Sequence, residues 1–154
     1  MSFTYEFPRP AVATTLVVLC PSDHGATVLT GNRSQNANAF PGALCLPGGF
    51  VDEDEQVSHA AIRELKEETS LDIPLSSLNL FAEYSDRNID PRCHVVNICY
   101  FVVMDKPSGL IKAGDDLDKV NWTSVDPIMN DKIELAFNHN QIVRDAMEAY
   151  RRLK

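Results

Sequence analysis

The chain has 154 residues, a size suited to one domain, with 44% hydrophobic and 23% charged residues, the balance of an ordinary globular protein. A net charge of −8 argues against nonspecific binding to nucleic acid or to an anionic membrane, and a phosphate substrate would need cations to bridge it to the protein. No apolar run reaches the ~18 residues of a membrane span and no signal segment opens the sequence, so the expected location is the cytoplasm.

In chain order, residues 11–20 are apolar and β-branched between Pro10 and Pro21 and predict a strand. Residues 27–30 predict a second, followed by a polar loop over 31–42. Residues 44–46 form a short strand leading into Pro47-Gly48-Gly49. An acidic helix start is expected at 52–55, where negative charge meets the positive end of the helix dipole, with the helix running to Thr69. Residues 78–85 and 95–104 predict two further strands, the second apolar enough to be central, and 119–123 a last short one. Ile142, Ala146, Ala149, Tyr150 and Leu153 recur at helical spacing, which predicts a terminal amphipathic helix over 141–153. Helices against a mixed sheet follow from this order, an α/β fold in a single domain over 1–154. Cys20, Cys45, Cys93 and Cys99 form no Cys-x-x-Cys pair and read as small core residues.

The helix after Gly48-Gly49 carries Arg63-Glu64-Leu65-Lys66-Glu67-Glu68. With Val57 at zero and about 100° per residue, Ala61 falls near ~40° and Leu65 near ~80°. Glu64 falls near about −20° and Glu68 near about +20°, inside the apolar sector, while Glu67 flanks it near about −80°. Carboxylates turned toward a core need a positive partner, and three so close together would otherwise repel. Hard divalent cations supply one, since Mg²⁺ binds through a few carboxylates plus substrate phosphates. The competing reading is a solvated Glu/Lys helix, which the phase of Glu64 and Glu68 argues against. His59 lies away from this sector and reads as a surface residue.

Gly49, five residues, Glu55, seven residues, then Arg63-Glu64-Leu65, Glu67-Glu68, Ser70 and Leu71 resembles the signature box of the Nudix hydrolases. Ser70 stands where the family usually has glycine, and Asp54 where it often does; both departures bear on backbone geometry rather than on metal ligands. The resemblance implies an α/β/α sandwich with a mixed sheet and a loop–helix–loop box. It also implies Mg²⁺ or Mn²⁺ held by Glu64, Glu67 and Glu68, with the Gly48 carbonyl as a further ligand. Arg63 would pair with Glu67 and fix its orientation, and Glu55 would have a supporting role.

A second resemblance narrows the substrate. Arg87-Asn88-Ile89-Asp90-Pro91-Arg92, Ala113-Gly114-Asp115-Asp116 with Trp122, and Pro8-Arg9-Pro10 are similar to stretches of ADP-ribose pyrophosphatase-like members; Cys93 departs from them. From chemistry alone, Arg87 and Arg92 either clamp phosphate oxygens with their planar forks or are solvated turn arginines. Arg33 faces the nucleotide by resemblance, or else makes a surface ion pair. Asp115 and Asp116 lie on a long loop over 105–118 that would swing over the site; one adds a metal ligand or orients water, or both form an ordinary acidic turn. Tyr5, Phe7 and Phe40 stack on adenine, or pack in the core or a dimer, and Trp122 reads as core.

The expected reaction is metal-assisted cleavage of a nucleoside diphosphate linkage, ADP-ribose giving AMP and ribose 5-phosphate, with Glu67, Asp115 or Asp116 taking the proton from water. The alternatives are another Nudix substrate (a dinucleoside polyphosphate, a dinucleotide cofactor or a damaged nucleoside triphosphate) and a non-catalytic ADP-ribose sensor. The complete set of box acids and the lack of a basic patch or DNA-binding domain count against the sensor. The expected partner is a small nucleotide, with no nucleic acid and no membrane, and a homodimer is left open.

Overall fold

Alternation along the first strand sets the architecture. The structure, a computed structural model, describes residues 2–154. Seven strands, β1 (Ala11–Ser22), β2 (Gly25–Arg33), β3 (Leu44–Cys45), β4 (Gly48–Phe50), β5 (Asn79–Tyr84), β6 (Val95–Val103) and β7 (Leu117–Ser124), make one mixed sheet. Three helices cover it: α1 (Val57–Thr69), α2 (Val125–Met129) and α3 (His139–Arg152). Side chains of a strand point alternately to its two faces. Val17 and Leu19 of β1 accordingly join a core with Ile142, Val143 and Ala146 of α3. Leu16 and Val18 join a second core with Leu65 of α1 and Val102. The sheet is thus a layer between helices, and the expected α/β/α sandwich is what the chain adopts.

The sheet opens where β1 changes neighbours. One edge of β1 pairs in parallel with β6 from Ala11 to Leu19. The other edge is shared: Leu19–Ser22 pair with β2, while Ala13–Thr15 pair with β4. Beyond their short contact, β2 diverges to pair with β3 and β7. The Leu16 N–H, left between the two halves, donates to the Pro47 carbonyl at 3.0 Å. This fork leaves a cleft of about 250 Å³ floored by Ala13, Thr14 and Thr15 and flanked by Gly48 and Gly49.

The helix does not start at Asp52–Glu55. Those residues form a turn, Asp54 has φ +62°, and α1 begins at Val57 after Gln56. Glu55 is otherwise engaged: its carboxylate accepts the Asp52 N–H at 3.0 Å and the Arg63 guanidinium. Gly48 and Gly49 lie in β4, and α2 and its start at Val125 have no counterpart in the expected elements. Arg33 closes the second strand, which runs on to it through 31–33, residues expected to be loop. Cys93 is exposed, against the expectation of four core cysteines; Cys20, Cys45 and Cys99 are buried. Ser70 takes the left-handed angle that glycine would take, φ +63°, and caps α1 with its N–H on the Lys66 carbonyl. Asp and Ser tolerate that region at modest cost. Among the described residues, no helix is long and apolar enough to cross a membrane.

Candidate active site

Helix α1 lies with its inner face on the β1–β4 junction, so side chains on that face enter the cleft. Glu64 is 8% and Glu68 5% exposed, the two positions whose helical phase fell in the apolar sector. Glu67, on the flank, is exposed. A side chain at Gly49 would put its Cβ 2.4 Å from the Glu64 carboxyl carbon, so only glycine leaves that carboxylate its place. Glu68 Oε2 accepts the Gly48 N–H at 2.9 Å.

Arg63 serves Glu64 together with Glu55 and Glu67, and does not bond the buried Glu68. Its Nε and Nη2 donate to the two oxygens of Glu55 at 2.7 and 2.9 Å, and its Nη1 to Glu64 at 2.9 Å and Glu67 at 3.2 Å. The Phe50 carbonyl takes a further bond at 3.1 Å. Arg63 is therefore held strongly protonated, foremost by its bond to Glu55. The same bond holds the Glu55 carboxyl below the usual range. Burial pushes Glu64 up, against the opposing pull of Arg63. Burial drives Glu68 furthest, to about 8; the Gly48 N–H opposes it, while the charges of Glu64, Asp116 and Asp115 add to it. Arg63→Lys keeps the charge and loses the fork that reaches three carboxylates at once. Turnover of a metal-dependent reaction should fall about 10–100-fold, the size typical of groups that orient metal ligands. Steady-state kinetics across Mg²⁺ concentrations would check this, and a variant at wild-type rate would refute the orienting role.

Asp115 reaches the acid wall from the far loop. One oxygen each from Glu64, Glu67 and Asp115 lie within 4.8 Å of one another. Burial first, then Asp116 and Glu67, raises the Asp115 carboxyl. Asp116 also lines the cleft. Glu68 is not part of the trio; it sits deeper, on the Gly48 amide. The loop is docked rather than swinging at this end, for Gly114 N–H bonds the Glu68 carbonyl of α1 at 3.0 Å.

The opposite wall carries arginines. Arg33 donates Nε to the Ala39 carbonyl at 2.8 Å, and its guanidinium carbon lies 5.1 Å from the Phe137 ring centre. Arg92 lies 5.8 Å from the same ring and 5.1 Å from that of Phe50. Both distances are within cation–π range. Asp90 grips Arg92 with two bonds, 3.0 and 2.7 Å; burial would raise its carboxyl, but those bonds win and lower it. Arg33 and Arg92 line the cleft, whereas Arg87 stands exposed in its turn and does not. Phe40 packs on Phe137, centroids 4.6 Å apart, while Tyr5 and Phe7 are exposed outside the cleft.

The inner end was missed in the sequence. Asn97, Tyr84, Phe137, Asn138 and His139 line it, and none sits at a spacing that signals chemistry. Asn138 Oδ1 is buried with no hydrogen-bond partner. His139 Nδ1 accepts the Leu46 N–H at 2.9 Å. An Asn before a helical run marks an N-cap, but Asn138 makes no side-chain cap bond. That departure is visible only in the fold.

Comparison with known proteins points the same way. The NUDIX domain family model matches residues 10–146. The sequence is 40% identical over 110 residues to the ADP-ribose pyrophosphatase of Methanocaldococcus jannaschii, covering 71% of this chain and 60% of that protein. The NUDIX domain of Shewanella oneidensis NrtR complexed with ADP ribose superimposes with a TM-score of 0.81 at 26% identity, over 94% of this chain and 90% of that one. A bifunctional NMN adenylyltransferase/ADP ribose pyrophosphatase from Francisella tularensis, complexed with AMP and Mn ion, gives 0.80 at 25% identity, over 94% of this chain and 43% of that one. The chain spans 60% of the length of the first of these relatives. With the match running through both sheet and acid helix, the chain belongs to the Nudix family.

Proposed function

We propose that this chain is a metal-dependent pyrophosphohydrolase that cleaves ADP-ribose to AMP and ribose 5-phosphate. The observation that carries this reading is the trio of carboxylates from Glu64, Glu67 and Asp115, within 4.8 Å of one another, facing two arginines across a cleft. The donor set is all oxygen, with no Cys or His, and fits a hard cation such as Mg²⁺ or Mn²⁺. Glu64, Glu67 and Asp115 would hold it, with Glu68 and the Gly48 carbonyl beside them. Such a cation neutralises diphosphate charge and lowers the pKa of water.

The chain's own groups do the rest. Arg33 and Arg92 take phosphate or ribose oxygens, held in place by Phe137 and Asp90. Arg63 keeps Glu64 and Glu67 oriented. Glu67, Asp115 or Asp116 accepts the proton of the attacking water, since all three are open to it. The buried Asn138 Oδ1 needs a donor, which a ribose hydroxyl brings. Residues 1–154 act in this reading as one domain in the cytoplasm, and pairing of two copies through the exposed Phe3, Tyr5 and Phe7 belongs to it.

The test is Mg²⁺-dependent release of AMP from ADP-ribose, beside dinucleoside polyphosphates, dinucleotide cofactors and oxidised nucleoside triphosphates. ADP-ribose is expected to give the highest kcat/KM. Turnover of another compound alone keeps the hydrolase and removes this substrate. A second reading, an ADP-ribose sensor, draws on 25% identity over 92% of the chain to the ADPR responsive transcriptional repressor NtrR of Acinetobacter baylyi. Tight binding without turnover of any compound would favour it.

A further inference from the structure

A helix leaves its last carbonyls without intrahelical donors, and something must satisfy them. In α1 the donors come from a segment more than forty residues away. Lys112 N–H bonds the Thr69 carbonyl at 2.8 Å, and Gly114 N–H the Glu68 carbonyl at 3.0 Å. Ser70 Oγ, on the left-handed cap, donates to the Lys112 carbonyl at 3.3 Å. On its other side the segment is tied to the residue that follows β2, where Ser34 N–H bonds the Asp116 carbonyl at 2.9 Å. The residue between these anchors, Asp115, has φ +51°, an angle Asp tolerates. Its carboxylate there meets those of Glu64 and Glu67.

The closeness of the docking has a steric condition. A Cβ on Gly114 would lie 2.5 Å from the Glu67 carbonyl oxygen. That atom is helix backbone and cannot move aside without distorting the turn that carries Glu64, Glu67 and Glu68. Any side chain at 114 lifts the segment off the helix end.

We infer that Gly114 is a positioning residue: it seats the 112–116 segment on the carboxyl end of α1 and thereby sets Asp115 as the third oxygen ligand of the cation site. The helix that carries Glu64 and Glu67 also supplies the carbonyls that locate Asp115, so all three ligands are referenced to one rigid element. This rests on the proposed cation site but not on the proposed reaction.

The experiment is Mn²⁺ titration by calorimetry of the wild type, Gly114→Ala, Asp115→Asn and the double variant. Each single change is expected to weaken Mn²⁺ binding about tenfold, in the range seen when a ligand's support is lost. The double variant should be no weaker than Asp115→Asn alone, because Gly114 acts through that carboxylate. Wild-type affinity in Gly114→Ala, or a second full loss in the double variant, would overturn the inference, as would a wild type that binds no Mn²⁺. Should Gly114→Ala fail to fold, Ser70→Ala carries the same test through the Lys112 bond. About a twofold to threefold loss is expected there, absent in the Asp115→Asn background, and an unchanged affinity overturns the inference. AMP release from ADP-ribose is followed in parallel. The expected binding pattern without turnover supports the docking role while removing the proposed reaction.

Discussion

Glu68→Gln is expected to lower Mg²⁺-dependent AMP release by about 10–100-fold, the size typical of groups beside a metal's ligands, while leaving the metal-free fold at least as stable at neutral pH. The two effects separate because Gln is the near-isostere of a protonated Glu. In the folded, metal-free protein this carboxyl titrates at about 8, foremost because it is buried. The unfolded chain ionises it near 4.5. Between those values the native state holds a proton that the unfolded state has lost, so stability falls as pH rises from about 4.5 to 8. Gln removes that slope and keeps an acceptor for the Gly48 N–H. It also removes the buried negative charge that a cation would draw out. Urea unfolding at pH 5, 6.5 and 8 without divalent cations checks the first effect, and initial rates of AMP release check the second. A Gln variant with the wild-type pH slope, or with wild-type turnover, would contradict the role given to Glu68.

His139→Ala is expected to destabilise the fold by about 3 kcal/mol, the combined size of an unpaired buried N–H and an unfilled space. The ring accepts the Leu46 N–H and packs 5.3 Å from Phe137. Burial, then the nearby charge of Arg33, holds the imidazole down to about 3 from its ordinary 6.5. The unfolded chain therefore binds a proton below pH 6.5 that the native state refuses until about 3, and stability is lost as pH falls through that window. This slope is opposite to that of Glu68. Where the windows overlap, between about 4.5 and 6.5, the contributions of these two groups offset one another, and outside it each acts without the other. His139→Ala should start from a lower stability and lose the acid-side fall. Chemical unfolding from pH 4 to 8 tests both parts. Wild-type stability in the Ala variant would mean that Leu46 finds another acceptor.

The acid helix was legible because its signal is local. Phase arithmetic alone places Glu64 and Glu68 inward and Glu67 on the flank, and their burial follows that order. The layered fold was legible for a similar reason, since β1, β6 and α3 each carry a long apolar pattern. The fork in the sheet was not. It depends on β3 and β4, strands of two and three residues, too short to show any period, and on pairings fixed by distant partners. The turn at Asp52–Glu55 also escaped, because Glu55 reads as a helix-start acid until its bonds to Arg63 and Asp52 are seen. Arg33 and Arg92 were separated from Arg87 only by Phe137, whose position depends on how the chain approaches α3.

The cleft's two walls hang on different parts of the molecule. The acids and their arginine clip belong to α1 and the segment seated on its end. Arg33, Arg92 and Phe137 belong to a strand terminus, a turn and the approach to α3. The floor from Ala13 to Thr15 is common to both, Phe50 meets both through its carbonyl on Arg63 and its ring beside Arg92, and the Ser34 N–H ties the acid segment to the end of β2. A change in the side chain of Arg92 or Phe137 can therefore alter which molecule fits while the carboxylates of α1 keep their own supports. In evolutionary terms the protein is divided into an engine and a fitting, joined at the β1 floor, at Phe50 and at Ser34.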